Sequence, residues 1–123
     1  MRLHHVQVAC PPGGEDAARR FYGEGLGLTE VAKPEELAGR GGVWFRGEGY
    51  ELHVGVEDPF APARKAHPAF ELTDAAELEA VGERLETLGF EVDRRERHTF
   101  PGFERLHTHD SHGNRVELLS REV

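Results

Sequence analysis

The sequence predicts an α+β fold built from two similar halves, each with the element order β-α-β-β-β. The main observation is an internal repeat. His5 is followed 21 residues later by Leu26-Gly27-Leu28, and His67 is followed at the same interval by Leu88-Gly89-Phe90. In each half an alternating apolar stretch follows the histidine, and a segment with apolar residues at helical spacing leads to the Leu-Gly pair.

The first half is predicted to cover residues 1–60. It begins with a strand over 2–9, in which apolar and polar residues alternate, and a Pro-Pro-Gly-Gly run ends this strand. A helix is predicted over 15–25, because its first turn is acidic and acidic side chains are favourable at a helix N-terminus. Short strands separated by proline and glycine follow near 28–32, 42–46 and 50–56.

The second half is predicted to cover residues 66–123 and repeats this order. A strand over 67–72 precedes a helix whose N-cap is Thr73 or Asp74. Gly89 is expected to end that helix in a left-handed conformation. The remaining strands are predicted near 90–94, 104–109 and 115–120, with a tight turn between the last two.

Length and composition limit the domain count and the partners. A chain of 123 residues with 37% hydrophobic residues predicts one domain, residues 1–123, with 58–66 as a linker between its halves. The 23 acidic and 15 basic residues give a formal charge of −8, which predicts no nucleic-acid partner and no anionic membrane surface. A small-molecule ligand is the partner expected instead.

Cysteine usage and the absence of long apolar runs point to a cytoplasmic protein. Cys10 is the single cysteine, so no internal disulfide is expected, and a reducing compartment is the natural one. No run of 18 apolar residues is present, so neither export nor membrane insertion is predicted.

The alternation within each strand places polar residues on the face that helix packing does not need. Four strands each offer a candidate metal ligand on that face: His5 in the first, Glu51 or His53 in the fourth, His67 in the fifth and Glu117 in the eighth. The seventh strand adds His107, on the face opposite Leu106 and Thr108. His107 is predicted to line the pocket as an acid–base or substrate contact, or else to be a buried packing residue.

The order of several short motifs resembles that of a known superfamily. These motifs are Leu3-His4-His5-Val6-Gln7-Val8, Phe21-Tyr22, Leu26-Gly27-Leu28, and the closing Asp110-Ser111-His112-Gly113-Asn114-Arg115-Val116-Glu117-Leu118. Together with the tandem β-α-β-β-β halves, they resemble the vicinal oxygen chelate superfamily. Its members include glyoxalase I, fosfomycin-resistance proteins, methylmalonyl-CoA epimerase, extradiol dioxygenases and bleomycin-binding proteins. The resemblance covers nearly the whole chain.

The resemblance implies a curved mixed sheet that forms a cup around a divalent metal ion, with ligands from the first, fourth, fifth and eighth strands. His5, His67 and Glu117 match three of these positions. The fourth is His53 or Glu51. His53 is favoured because its 48-residue spacing from His5 is close to the 50 residues between His67 and Glu117. Glu51 is then predicted to be a pocket carboxylate or general base, or else a solvated strand residue. The resemblance also implies a homodimer.

Imidazole and carboxylate ligands suit Zn, Ni, Co, Mn or Fe(II), and such an ion acts as a Lewis acid. The first hypothesis is therefore a metal-dependent lyase or isomerase of glyoxalase type, acting on a small molecule that binds through neighbouring oxygens. The alternatives are an Fe(II) extradiol-type dioxygenase and a metal-free protein that sequesters a drug, as bleomycin-binding relatives do.

Overall fold

Each half of the chain forms its own four-stranded mixed sheet in the computed structural model, which describes residues 1–123. The chain divides into two units, Met1–Pro62 and Ala63–Val123. The predicted α+β fold with the order β-α-β-β-β in each half is confirmed. None of the helices has the length and apolar character needed to cross a membrane.

In the first unit the strand order is β1-β4-β3-β2, and β1 runs parallel to β4. The strands are β1 (His5–Cys10), β2 (Thr29–Val31), β3 (Val43–Arg46) and β4 (Glu51–Val56). The helices are α1 (Glu15–Ala18), which continues as a π-helix over Arg19–Gly25, and α2 (Glu35–Ala38), which the sequence pattern did not predict.

The π-helix differs from the α-helix expected at 15–25 and has a direct effect on packing. The Leu26 amide donates to the Phe21 carbonyl, five residues earlier, which is the wide turn that defines a π-helix. Both Phe21 and Tyr22 are fully buried, with ring centroids 4.8 Å apart. The Tyr22 ring also packs near the Phe45 ring of β3, with the two centroids 5.9 Å apart. This segment therefore covers the apolar face of the first sheet.

In the second unit the order is β5-β8-β7-β6, with β5 parallel to β8. The elements are β5 (Ala69–Glu71), α3 (Ala75–Thr87), β6 (Val92–Asp93), β7 (Phe103–His109) and β8 (Arg115–Arg121). The strand expected over 67–72 is therefore shorter and starts after His67. Pro68 has no amide hydrogen for a ladder, and pairing begins with its carbonyl, which accepts from the Glu117 amide at 3.0 Å.

Helix α3 begins and ends as the sequence predicted. Asp74 is the N-cap, and its side chain accepts from the Glu77 amide at 2.8 Å. Gly89 has φ of +96° after the last turn, a conformation that glycine adopts without a steric penalty. The apolar stripe of the helix is buried on the sheet through Leu78, Val81 and Leu85.

The turn between β7 and β8 is held by the side chain of Asp110. This buried carboxylate accepts from the His112 and Asn114 amides, both at 2.9 Å, and from the Asn114 side chain at 2.9 Å. The turn fixes the antiparallel register in which His107 lies directly opposite Glu117.

Candidate metal centre

Two histidines and one glutamate of the second unit meet on one face of its sheet. His67, His107 and Glu117 have potential ligand atoms that all lie within 4.8 Å of one another. The Oε1 atom of Glu117 is 3.3 Å from Nε2 of His67 and 3.2 Å from Nε2 of His107. Glu117 and His107 are 5% and 7% exposed, while His67 is the more accessible member.

The strand alternation explains why these side chains converge. His107 and Glu117 are cross-strand partners in β7 and β8, and their sequence neighbours Leu106 and Leu118 point to the opposite, buried face. Ala69 of β5 pairs with Glu117 on its other side. His67 lies two residues before Ala69, so its ring reaches the same carboxylate.

The proton position on His67 prepares this ring for a cation. Its Nδ1 lies 2.8 Å from the Lys65 carbonyl oxygen. A carbonyl only accepts hydrogen bonds, so Nδ1 carries the proton, and in the neutral ring Nε2 presents a lone pair. In that neutral form the lone pair and the carboxylate oxygen of Glu117, 3.3 Å apart, could both donate to one cation.

The charge state of His107 also suits metal binding. Burial lowers the pKa of His107, and the positive charges of Arg115 and Arg105 lower it further, whereas Glu117 acts in the opposite direction. The ring is therefore neutral at neutral pH, which is the form that binds metal ions. Two imidazoles and one carboxylate are a donor set that fits a divalent transition metal.

Arg105 is a third contact of Glu117. Its Nη1 lies 3.4 Å from the same Oε1 atom. Its other nitrogens donate to the Thr99 hydroxyl at 2.7 Å and to the Glu96 carbonyl at 3.3 Å, and its guanidinium lies 5.6 Å from the Phe100 ring centroid. Arg105 thus contacts both Glu117 and the segment that precedes β7.

The predicted ligands of the first unit lie on one face of its sheet, where three rings form a stack. The His53 ring lies between the rings of His5 and Trp44. Its centroid is 4.2 Å from that of His5 and 3.8 Å from that of Trp44, and the planes of the His53 and Trp44 rings are 2° from parallel. This sandwich leaves the His53 residue only 4% exposed, although it lies on the polar face. His53 Nε2 is 2.9 Å from Oε1 of Glu51.

Glu51 is held as a carboxylate by two partners. Hydrogen bonds from His53 and Arg46 lower its pKa to about 2. Within the first unit, His5, Glu51 and His53 do not form a three-donor group close enough for an ion. The choice between His53 and Glu51 as a ligand stays a prediction.

His107 has a position that sequence reasoning did not assign to it. It was expected to be a pocket contact, and the structure places it within ligand distance of His67 and Glu117. A sequence signal existed, because the predicted strand alternation places His107 and Glu117 on the same face of two strands joined by a short turn. Only the cross-strand register shows that the two residues are direct partners.

An open cleft of about 1030 Å³ lies beside His107 in the second unit. It extends from the end of α3 along β6 to the start of β8. Its polar and charged lining includes Asp93, Arg94, Arg95, His107, His109 and Arg115.

Comparisons with known proteins identify the family and the fold of the chain. The model of the glyoxalase/bleomycin resistance protein/dioxygenase superfamily matches residues 2–118. A putative glyoxalase family protein from Bacillus anthracis has 42% identity and a TM-score of 0.89, with 99% of this chain and 96% of that chain covered. A search of curated proteins finds no match.

Two more distant structures share the fold. A lactoylglutathione lyase from Agrobacterium tumefaciens has 24% identity and a TM-score of 0.71, covering 96% of this chain and 92% of that one. An antibiotic binding protein from a Streptomyces species has 20% identity and a TM-score of 0.74, covering 99% and 97%. The match over residues 2–118 and the 42% identity with the Bacillus protein show that this chain belongs to the glyoxalase/bleomycin resistance protein/dioxygenase superfamily.

Proposed function

We propose that this protein is a metal-dependent enzyme of the glyoxalase-like lyase or isomerase type, acting on a small substrate that binds through its oxygens. The observation that carries the proposal is the approach of His67, His107 and Glu117 to within 4.8 Å. The superfamily supports small-molecule binding, and its members include both enzymes and binding proteins.

His67, His107 and Glu117 would hold the ion through their Nε2 and carboxylate oxygen atoms. A divalent ion bound there would supply Lewis-acid stabilisation of a developing oxyanion. The Lys65 carbonyl fixes the His67 ring for this role, because a hydrogen bond on the second ring nitrogen orients a histidine ligand. His5 and His53 as further ligands, and a homodimer, stay predictions from the sequence.

The general-base role that the sequence allows for Glu51 has a specific requirement. A carboxylate with a pKa of about 2 is a weak base near neutral pH. To accept a proton from a substrate, Glu51 would have to exchange at least one of its bonds to His53 and Arg46 during the reaction. His107, if it binds the ion, would not serve as a free acid or base.

Metal binding by ligand variants tests the proposal. Purified protein without a histidine tag is dialysed against Zn, Ni, Co, Mn and Fe(II) separately, and bound metal is measured by elemental analysis. We expect near-stoichiometric metal in the wild type, and at least tenfold weaker binding in His67→Ala, His107→Ala and Glu117→Gln, because even the loss of a group that supports a ligand typically costs 10- to 100-fold in affinity.

His98→Ala is the matched control, since His98 is an exposed histidine of the same unit. Unchanged metal binding in all three ligand variants would refute the assignment. No bound metal in the wild type would favour the metal-free binding protein. Parallel measurements on His5→Ala and His53→Ala test the two ligands predicted from the sequence.

An Fe(II) dioxygenase is the second proposed function. The cluster of the second unit consists of two histidines and one carboxylate, the donor set used by non-haem Fe(II) oxygenases. Preferential binding of Fe(II), with oxygen uptake when catechol is added, would favour this function over a lyase or isomerase.

A further inference from the structure

The cleft beside His107 contains one cation without an anionic partner. Arg94 pairs with Glu79 and Glu86, and Arg95 pairs with Asp93. Arg115 is half-buried at the first position of β8 and forms no ion pair or hydrogen bond through its side chain.

The other charges of the cleft do not neutralise Arg115. Glu86 and Asp93 are bound to Arg94 and Arg95, and Glu96 lies 3.8 Å from Arg105. The Glu91 carboxylate has no partner either, but Glu91 is exposed and its side chain is therefore well solvated. A half-buried guanidinium has lost part of its hydration, so a partner that supplies oxygen atoms is favourable there.

The position of Arg115 relative to the proposed ligands gives this charge a role. Arg105 and Arg115 both share the sheet face of Glu117, on opposite sides of the His107–Glu117 pair. The Arg105 side is occupied by its contacts with Thr99, Glu96 and Phe100. The Arg115 side lines the cleft together with His107. A molecule that reaches His107 through this cleft passes Arg115.

We propose that Arg115 is an anion-binding residue and that the substrate carries a carboxylate or phosphate group in addition to the oxygens directed at the ligand cluster. The planar guanidinium matches the geometry of either group. A local cation is also needed because the chain has a formal charge of −8, which disfavours the approach of an anion elsewhere. The proposal of this substrate class rests on the proposed function, but anion binding at Arg115 does not.

The first experiment therefore uses metal-free protein. Inorganic phosphate and acetate are titrated into EDTA-treated protein while the arginine Nε–Hε signals are followed by NMR. We expect saturable shifts of the Arg115 signal that weaken with added salt. An Arg115 signal that does not respond to either anion would overturn anion binding, whether or not the protein binds metal.

The second experiment compares matched ligands on protein loaded with the ion that it binds best. Malate is compared with lactate and 3-phosphoglycerate with glycerate, because each pair differs by one anionic group and keeps the same 2-hydroxy acid oxygens. We expect the member with the additional anionic group to bind about tenfold tighter in the wild type, for at least one pair. A charge-assisted hydrogen bond between that group and Arg115 would give a gain of this size. The pair that shows the difference distinguishes a carboxylate from a phosphate.

Arg115→Gln should bring that affinity ratio close to one without changing metal content, and Arg115→Lys should keep part of it. Arg121→Gln is the control, because Arg121 shares the strand and face of Arg115 but pairs with Glu71 outside the cleft. A ratio of one in the wild type, or an unchanged ratio in a folded Arg115→Gln variant, would contradict the proposal. If no metal binds, the metal-free titration alone decides anion binding.

Discussion

Gly42, before β3, is the residue whose lack of a side chain most directly permits the first sheet to form. It has φ of +87°, and a Cβ atom added there would lie 2.2 Å from the Val54 carbonyl oxygen of β4. That position is closer than any van der Waals contact, and the obstacle is backbone rather than a flexible side chain. The glycine thus permits β3 to pair closely with β4, the strand that carries Glu51 and His53.

Gly42→Ala should lower the free energy of unfolding by about 3 kcal/mol or more, because it combines an unfavourable φ with a backbone clash. Gly49→Ala is the comparison, since Gly49 has φ of +81° and open space around its Cβ position. That variant should lose only about 1–2 kcal/mol. Urea denaturation of both measures the difference, and equal losses would show that the clash relaxes without cost.

How much of the site the sequence could predict differs from residue to residue. His67 and Glu117 could be selected because strand alternation and the resemblance agree on them. The proximity of His107 depends on its pairing with Glu117, which the Asp110 turn sets. Arg115 lacks an anionic partner because the nearby carboxylates bind other arginines. Strand alternation does not predict which carboxylate binds which arginine.

At the level of elements, helix α3 is joined to the segment after β6 by a carboxylate between two arginines. Glu79 accepts from Arg97 at 2.6 Å and from Arg94 at 2.8 Å. These two hydrogen bonds lower the pKa of Glu79 below its ordinary value, and the bond from Arg97 has the larger effect. The segment that they hold forms part of the cleft wall.

Glu79→Gln should reduce the free energy of unfolding by about 1 kcal/mol at pH 7, the upper end for partly exposed ion pairs. Because the folded-state pKa lies below the unfolded value of 4.5, the stabilisation is present above pH 4.5. It is lost as the pH falls from there through the folded-state pKa. The difference between wild type and variant should therefore shrink in acid.

Glu83→Gln controls for the loss of one negative charge on the same helix, since Glu83 is exposed and forms no ion pair. Denaturant titrations between pH 7 and pH 3 provide the comparison. The ion-pair account would fail if the two variants lost the same stability at pH 7, or if the effect of Glu79→Gln did not depend on pH.

The sequence predicted long, capped elements better than short ones. Asp74 and Gly89 mark both ends of α3 by side-chain and backbone chemistry that is local in sequence. The π-helix over Arg19–Gly25 has the same apolar spacing as an α-helix over so short a segment, so periodicity could not distinguish them. Helix α2 has only four residues, too few for a periodic pattern.

For the molecule as a whole, an ion bound at the proposed centre should stabilise the folded state. At a free metal concentration 100 times the dissociation constant, mass action contributes about 2.7 kcal/mol. We expect thermal unfolding of the wild type to shift upwards with the preferred ion and to return with EDTA, while Glu117→Gln shows little response. Equal metal-induced shifts in both proteins would place the stabilising ion elsewhere.

The formal charge of −8 excluded nucleic acid as an expected partner from the sequence alone, but it did not describe the cleft. Net charge averages over the surface, whereas ligand selection depends on which charges lack partners. Within the second unit, most acidic groups near the cleft are bound to arginines. A protein with an acidic total can therefore present a cationic site to a small anion.

The short turn closed by Asp110 also restricts how this chain can change during evolution. If a deletion or insertion between His107 and Glu117 shifted the β7–β8 register by one residue, alternation would direct one partner of the pair to the opposite face. Substitutions in the turn can be compensated by other hydrogen bonds, whereas a change in its length requires a rearranged loop or a β-bulge that keeps the register. Homologues that use the same cluster should therefore vary in the composition of this turn more readily than in its length.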